Sequence, residues 1–213
     1  MKSIHKLLAV SLVLVVSWSC KEKKKEMAPK EKFFPTISFL RSQAAQVDSS
    51  LYTIRKYTYI DSAHTDTQYI PREHFTEVAQ DFLSLPDIAL PEYSDRYTES
   101  KDFDETLDRV LLIYLPVKAE DEKIQRQEVL IRQDPSGDKV TSVIINTHYS
   151  SKDSTVEKRL FWTIDESFQV TTTRQLPQQP ETTVTYKVAW NEPVDEPEPQ
   201  KVEDTLKQKK VKK

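Results

Sequence analysis

Residues that could carry out chemistry are few in this chain, and their counts already exclude several classes of site. The chain has 213 residues but only one cysteine, Cys20, and one glycine, Gly137. Phosphate-cradling loops need several glycines to bring backbone N–H groups close to the ligand, so P-loop, dinucleotide-binding and kinase-type sites are excluded. A disulfide framework, a zinc knuckle or an iron–sulfur cluster needs more than one cysteine, so these are excluded too.

Two short stretches match catalytic patterns but lack the context that those patterns need. Residues 102–106 spell the DxDxT pattern of haloacid-dehalogenase-type phosphotransferases, in which the first aspartate ends a buried strand of a parallel sheet. The polar residues 97–101 before it do not form such a strand, so we interpret the acids as a solvated cluster. Residues 136–139 fit SxxK, but they lie in a Pro-Gly turn and not at a buried helix start.

The histidines show no metal-ligand or catalytic spacing. His64 lies near Asp61 and Asp66 without a second histidine at ligand spacing, so we expect solvent-exposed polar residues there. His74 and His148 have no partner that the sequence identifies, and we expect structural or surface roles for both. The sequence therefore predicts no catalytic residue, no metal and no cofactor, and it favours a protein that is not an enzyme.

The N-terminus resembles the signal peptide of a bacterial lipoprotein. Two lysines precede an apolar stretch, residues 7–18, which is too short to span a bilayer as a helix. Trp18 ends this stretch, Ser19 and Cys20 come next, and a run of charged residues follows. The tryptophan two places before the cysteine makes this more similar to the relaxed lipobox of Bacteroidetes-type lipoproteins than to the stricter enterobacterial form. The resemblance implies a signal peptide over residues 1–19, with a diacylglyceryl group on the thiol of Cys20.

Lipidation of Cys20 would decide where the protein is located. A multiply acylated N-terminus holds a protein stably on a membrane, because each buried CH₂ group contributes about 0.8 kcal/mol. We therefore expect a lipid anchor in the bacterial outer membrane or elsewhere in the cell envelope, facing either the periplasm or the surface. The partners predicted are the membrane, through Cys20, and an envelope protein.

Composition divides the mature chain into a tether, a domain and a tail. Residues 20–32 include six lysines and three glutamates and predict a flexible tether. Residues 191–213 begin rich in proline and glutamate and end rich in lysine, which predicts a disordered tail. Residues 33–190 hold 17 basic and 25 acidic residues, and we predict that they form a single globular domain. Nucleic acid is not an expected partner, because its recognition needs a basic face.

Apolar periodicity predicts two helices at the start of this domain. The first begins at Thr36, and its apolar stripe comprises Ile37, Leu40, Ala44, Val47 and Leu51. Residues 51–60 are rich in tyrosine, threonine and isoleucine and predict a strand, although the helical stripe can also be continued to Ile54. The second helix begins at Pro71 and ends at Pro86. The apolar residues on its predicted inner face are Phe75, Val78, Ala79 and Phe82.

From residue 107 onward the apolar period changes to two. The strands that this period predicts are residues 109–117, 124–132, 140–149, 156–164, 168–174 and 183–190. Their short connections permit only antiparallel neighbours. We therefore predict an α+β fold in which a curved antiparallel meander sheet packs one face on two N-terminal helices. This order of elements is similar to the NTF2-like cone and to the half-barrel of lipoprotein carriers.

Two further features predict modification and interaction. Three Asp-Ser/Thr-apolar triplets resemble the O-glycosylation consensus of Bacteroidetes envelope proteins, and their acceptor residues are Ser62, Ser154 and Thr205. Residues 85–106 form a connection longer than most, which indicates either a functional surface or an element that the pattern misses. Its side chains Tyr93, Arg96 and Tyr97 are of types enriched at interface anchors, so we predict an interaction loop there.

Three classes of function fit these observations. The first is a non-catalytic envelope lipoprotein that binds a protein partner or supports assembly. The second is a small-ligand or lipid carrier, which needs an apolar cavity between sheet and helices. The third is a carboxylate-dependent hydrolase, which needs two buried acids in a cleft. Whether Trp162, Tyr186 and Trp190 line a pocket or fill a core distinguishes the second class, and we expect a core.

Overall fold

An antiparallel sheet dominates the computed structural model, which describes residues 33–51, 53–61 and 63–191. Nine strands in the described residues form it: β1 (Ile54–Tyr59), β2 (Thr65–Ile70), β3 (Tyr97–Asp104), β4 (Arg109–Pro116), β5 (Ile124–Arg132), β6 (Lys139–Ser150), β7 (Thr155–Thr163), β8 (Ser167–Gln175) and β9 (Thr182–Ala189). Their order in the sheet is β2-β1-β9-β8-β7-β6-β5-β4-β3. Strands β3 to β9 are therefore a continuous meander, and β1 pairs with β9.

In the part of the chain that the structure describes, helical structure is confined to one long helix and several single turns. The helices are α1 (Thr36–Ser49), α2 (Phe75–Val78) and α3 (Gln80–Leu83), and short 3₁₀ turns occupy Arg72–His74, Pro91–Tyr93 and Ala119–Asp121. α1 has 14 residues, whereas α2 and α3 have four each. Leu51, which the stripe placed on the first helix, lies beyond its end and is 93% exposed.

The predicted α+β class is wrong, because the protein is predominantly β and the two N-terminal helices are not both present. Residues 71–86 form a 3₁₀ turn followed by two four-residue helices, which α-helical periodicity does not distinguish from one continuous helix. At the junction Ala79 has a non-helical φ of −84° and ψ of 3°, which separates α2 from α3. The six strands predicted after residue 107 are all present, each within two residues of its predicted ends.

Two further strands, β2 and β3, were not predicted from the sequence. Both are edge strands of the sheet. Neither shows apolar alternation, since β2 is exposed along nearly its whole length and β3 is buried only at Tyr97. Strand β3 occupies the second part of residues 85–106, so that long connection contains an element that the sequence pattern missed.

One face of the sheet is covered by α1 and by the segment that contains α2 and α3. The first turn of α1 is fixed to strand β5, where the Gln127 side chain donates a hydrogen bond to Thr36 Oγ1 over 2.8 Å. The backbone N–H of Ser38 donates to Asp87 Oδ2 over 2.8 Å. A carboxylate from a distant part of the chain therefore satisfies one of the free N–H groups of this helix N-terminus.

Aromatic side chains fill the space between the sheet and the short helices. Trp162 stacks on Phe168 with ring centroids 5.2 Å apart, and Phe82 meets Trp162 edge-on at 5.1 Å. Phe75 lies edge-on to Trp190 at 5.1 Å. Trp162 and Trp190 are buried, and Tyr186 packs against the same cluster. These rings therefore form a packed core, as we expected.

Candidate functional site

Adjacent residues of β7 point to opposite faces of the sheet, and their burial distinguishes those faces. Leu160 and Trp162 are fully buried against the helical side. Phe161 lies between them and is 39% exposed. We call the helical side the covered face and the side of Phe161 the uncovered face. Because strand residues alternate between faces, the register of the strands assigns every neighbouring residue to one face or the other.

An apolar patch crosses β4 to β7 on the uncovered face. Cross-strand pairs place Leu111 opposite Leu130 and Ile144 opposite Phe161. The patch consists of Leu111, Ile113, Leu115, Leu130, Ile144 and Phe161. Leu115 and Phe161, at two of its borders, are each 39% exposed. Apolar side chains from four adjacent strands therefore meet on this face, and all of them except Leu130, which is 8% exposed, are partly open to solvent.

A charged pair is set within this patch. Glu128 lies in register between Ile113 and Ile144. Arg126 on the same strand and the same face donates a hydrogen bond from Nε to Glu128 Oε1. The pair satisfies its own charges and leaves the guanidinium with further donors, which gives the apolar patch a polar feature that a partner can recognise.

Next to the patch the uncovered face becomes polar and concave. A groove of about 570 Å³ runs along β6, β7 and β8 and is bounded by the connection between β4 and β5. Its wall is fixed by Gln125, whose amide donates to the carbonyl oxygens of Ala119 over 2.8 Å and Glu122 over 2.5 Å. The side chains of the uncovered face that line it are Asn146, His148, Glu157, Arg159, Thr171 and Thr173. We call this the polar groove.

Hydrogen bonds pair most of these groups along the register. His148 Nδ1 lies 3.3 Å from Glu157 Oε1, and the Thr171 hydroxyl lies 3.0 Å from that of Thr185. Asn146 Oδ1 is buried and has no hydrogen-bond partner among the described residues. A buried acceptor without a hydrogen bond costs free energy, so a hydrogen bond from a donor of another molecule to Asn146 Oδ1 would be favourable.

The titratable groups of the described residues do not form an acid–base or metal constellation. Each described histidine ring faces a carboxylate from Nδ1: His64 with Asp61 at 2.8 Å, and His74 with Glu77 at 3.0 Å. His148 faces its glutamate in the same way. No group of three or more metal-ligand side chains occurs in the part of the chain that the structure describes.

The residues of the predicted interaction loop are engaged within the domain. Arg96 Nε donates to Glu122 Oε1 over 2.6 Å, and its guanidinium lies 4.8 Å from the ring centroid of Tyr93. Tyr97 is buried and donates from its hydroxyl to Glu122 Oε2 over 3.0 Å. Burial, then the bond to Glu122, raises the pKa of Tyr97, and that same glutamate raises the pKa of Arg96. The three side chains join the start of β3 to the β4–β5 connection, and an interaction at this loop stays a prediction.

The predicted modification sites fall mostly outside the described residues. Cys20, Ser62 and Thr205 lie outside them. Ser154 lies in the β6–β7 turn, where its backbone N–H donates to Ser151 Oγ over 3.1 Å. This turn is a surface position that an acceptor residue needs, and glycosylation of Ser154 stays a prediction.

The two stretches that match catalytic patterns are turn structures. Residues 102–106 end the exposed edge strand β3, and Asp104 Oδ1 accepts hydrogen bonds from the N–H groups of Thr106 and Leu107, each over 2.9 Å. In residues 136–139, Gly137 has a φ of +125°, and Asp134 Oδ1 accepts from the Ser136 hydroxyl over 2.6 Å. Hydrogen bonds from Ser136 lower the pKa of Asp134. Both carboxylates therefore stabilise turns.

Sequence reasoning missed the uncovered-face site, although a signal for it was present. The stretch that forms β4 is apolar on both faces, and such a run predicts a strand buried on both sides. The predicted helices cover only one face of the sheet. The two statements together imply an apolar patch on the opposite face, which is what the structure shows.

Comparisons with known proteins do not assign this chain to a family. No protein-family model matches it, and no curated protein and no solved structure is significantly similar to it. In the described residues, no helix has the length and apolar character needed to cross a bilayer.

Proposed function

We propose that this protein is a lipid-anchored lipoprotein of the bacterial cell envelope, and that it acts without catalysis by binding a protein partner on the uncovered face. The anchor is Cys20, as the lipobox resemblance implies. The observation that carries the binding proposal is the exposed apolar patch around Phe161, which lies beside the polar groove.

The form of this surface favours a protein over a small ligand. Strands lie about 4.8 Å apart, so the patch across β4 to β7 is roughly 14 Å wide. Protein interfaces combine an apolar centre with a polar rim and a few specific hydrogen bonds. Here the apolar centre is the patch, and the rim is supplied by the Arg126–Glu128 pair and by Arg159 and Asn146 of the groove.

The carrier alternative is less well supported, because it needs a cavity where this protein has aromatic rings in contact. The Trp162–Phe168 and Phe82–Trp162 pairs fill the region between sheet and short helices that a lipid chain would occupy. A thermal-shift screen with lipids remains the direct test, since a ligand that binds the folded state raises Tm.

The hydrolase alternative needs two buried acids in one cleft. The two buried carboxylates among the described residues are Asp87 and Glu122. Asp87 accepts from the Ser38 N–H at the start of α1, and Glu122 accepts from Arg96 and Tyr97. Both carboxylates are thus committed to holding the fold together.

Site-specific crosslinking in the native envelope tests the binding proposal. A photoreactive amino acid at position 161 should crosslink a defined protein, and a Leu115→Lys change in the same chain should abolish that product because a charge would be buried in the interface. Leu107, which is 52% exposed in the β3–β4 turn, provides the matched control. Leu107→Lys should leave the crosslink intact. Equal products in both variants, or none from position 161, would contradict the proposal.

The anchor is tested separately. Fatty-acid labelling should depend on Cys20, and unchanged labelling of Cys20→Ala would refute lipidation there.

The intact mass of the native protein tests the glycosylation prediction, since a mass equal to that of the lipidated polypeptide alone would exclude modification at Ser62, Ser154 and Thr205.

A further inference from the structure

A second groove lies on the covered face, at the end of the sheet that the helices leave open. It has a volume of about 460 Å³ and runs between α3 and strands β6, β7 and β8. Its charged lining residues are Asp81, Lys123, Lys158 and Arg174. We call it the basic groove. It is on the opposite face from the proposed partner surface, so it does not rest on the proposed function.

The one carboxylate that lines the basic groove is already neutralised. Lys158 Nζ lies 2.6 Å from Asp81 Oδ1, and the hydroxyl of Tyr186 donates to Asp81 Oδ2 over 3.2 Å. Both charged side chains of the pair are about one-third exposed. Asp81 thus has a cation and a hydroxyl donor on its two oxygens, and it leaves the remaining cations of the groove uncompensated.

Those remaining cations are Lys123 and Arg174. Both are exposed, and neither forms an ion pair with any carboxylate in the part of the chain that the structure describes. The groove therefore carries a formal charge of about +2, whereas residues 33–190 as a whole hold 17 basic against 25 acidic residues. A cavity with unpaired positive charge in an acidic domain attracts anions to one place on the surface.

The other lining residues match an anion that is attached to an apolar body. Ser84 and Thr147 contribute hydroxyl groups, which can donate to an oxyanion. Leu85, Tyr149 and Val156 contribute apolar surface, and Tyr149 is 59% exposed. The guanidinium of Arg174 can bond two oxygens of one phosphate at once, whereas a lysine acts as a point charge.

We propose that the basic groove binds a phosphate group, with Arg174 and Lys123 contacting its oxygens and Tyr149 and Val156 contacting the organic part of the ligand. The phosphate can belong to a free small molecule or to a lipid headgroup. Lys158 holds the floor of the groove through Asp81 and is a positioning residue for this site.

The test compares two double variants of the full-length chain. K123Q/R174Q removes both unpaired charges of the groove. K101Q/R132Q removes the same charges at exposed positions on β3 and β5, outside the groove. All four side chains are exposed, so both variants should keep the Tm of the unmodified chain, which is checked first.

In the first arm, inorganic phosphate is titrated and the amide chemical shifts of β6 to β8 are followed. We expect K123Q/R174Q to bind phosphate about tenfold more weakly than the unmodified chain, because it loses two charge-assisted contacts, and K101Q/R132Q to bind within about twofold of it. Equal weakening in both variants would show that only the net charge matters and would overturn the proposal.

In the second arm, phosphatidylcholine vesicles with and without phosphatidylglycerol are sedimented with each variant in a Cys20→Ala background, which removes any acyl anchor. Selective loss of anionic-vesicle binding in K123Q/R174Q, together with no effect of free phosphate, identifies a lipid headgroup as the source. Binding of free phosphate alone identifies a small molecule. If the groove charges alter neither free-phosphate nor vesicle binding, the basic groove is not a phosphate site.

Discussion

Phe161 and Trp162 are neighbours on one strand, yet they belong to two surfaces with opposite physical roles. Trp162 is fully buried and packs on the covered face against four aromatic rings, those of Phe75, Phe82, Phe168 and Trp190. Phe161 is 39% exposed and meets Ile144 across the uncovered face. The sheet thus concentrates its packing on one side and leaves the other side uncovered. Because side chains alternate between the two faces of a strand, mutations one residue apart can separate the stability of the domain from the partner binding that we propose.

The largest expected difference between the two faces is in stability. Trp162→Ala should lower the free energy of unfolding by about 3–5 kcal/mol, because it empties the centre of a packed aromatic cluster. Phe161→Ala should cost only about 1–2 kcal/mol, since Phe161 is 39% exposed in the native state. Urea unfolding of both variants measures the difference. Equal losses would mean that the uncovered face is part of the core.

Removal of the Glu122 carboxylate should give the next largest loss of stability. Glu122 is 6% exposed and accepts from both Arg96 and Tyr97. Glu122→Ala therefore leaves Arg96 Nε without this acceptor and leaves the Tyr97 hydroxyl only its longer hydrogen bond, 3.3 Å, to the carbonyl oxygen of Ile124. We expect a loss of about 2–3 kcal/mol, less than for a wholly buried pair because Arg96 is 45% exposed and can turn to water. Glu122→Gln, which keeps an acceptor oxygen, should recover part of this loss in the same urea experiment.

Ionisation of buried tyrosines should make the packed side sensitive to alkaline pH. Burial is the main cause that raises the pKa of Tyr97, Tyr114 and Tyr186 above the ordinary value near 10. In that range the unfolded chain releases protons that the folded chain keeps. The stability is therefore fully present below pH 10 and is lost as pH rises above it, by about 1.4 kcal/mol per pH unit for each tyrosine.

Denaturant midpoints between pH 8 and 11.5 measure this loss. In Tyr186→Phe the decline above pH 10 should be about one-third shallower than in the unmodified chain, because one of three titrating groups is gone. A decline of unchanged slope would show that Tyr186 does not contribute to it.

The smallest change in stability is expected from a mutation in an exposed ion pair of the uncovered face. The His148–Glu157 pair has side chains that are 41% and 64% exposed, and such pairs contribute little in water. Glu157→Gln should change the free energy of unfolding by less than about 0.5 kcal/mol, while it alters the polar groove that we propose to flank the partner. A loss above 1 kcal/mol would place this pair among the groups that hold the fold.

The two faces also explain which parts of the fold were predictable. Strands β4 to β9 have at least one buried face, and the spacing of their apolar residues predicted them from the sequence. The edge strands β2 and β3 bury almost nothing, so only backbone pairing with β1 and β4 defines them. The prediction of one long second helix was wrong because two short helices bury Phe75, Ala79 and Phe82 in the same way as one long helix would.

The candidate sites were harder to predict, because register brings their members together. Asn146, Arg159 and Thr171 come from three strands and meet only because β6, β7 and β8 pair as they do. The basic groove likewise joins Asp81 to Lys158, which lie 77 positions apart in the chain. Hydrophobic periodicity identifies single strands, and it contains no information on which polar residues become neighbours.

The pairing of β1 with β9 sets the order in which the chain can fold. Among themselves, strands β3 to β9 pair only with sequence neighbours, so each of their hairpins can form with a short loop to close. Strand β1 must wait for Thr182–Ala189, the last strand in the described residues, before its second edge has a partner. We expect attachment of the β1–β2 hairpin to be a late and slow step, because it closes the longest loop in the sheet. Because synthesis proceeds from the N-terminus, the second edge of β1 would then stay unpaired until Thr182–Ala189 has been made.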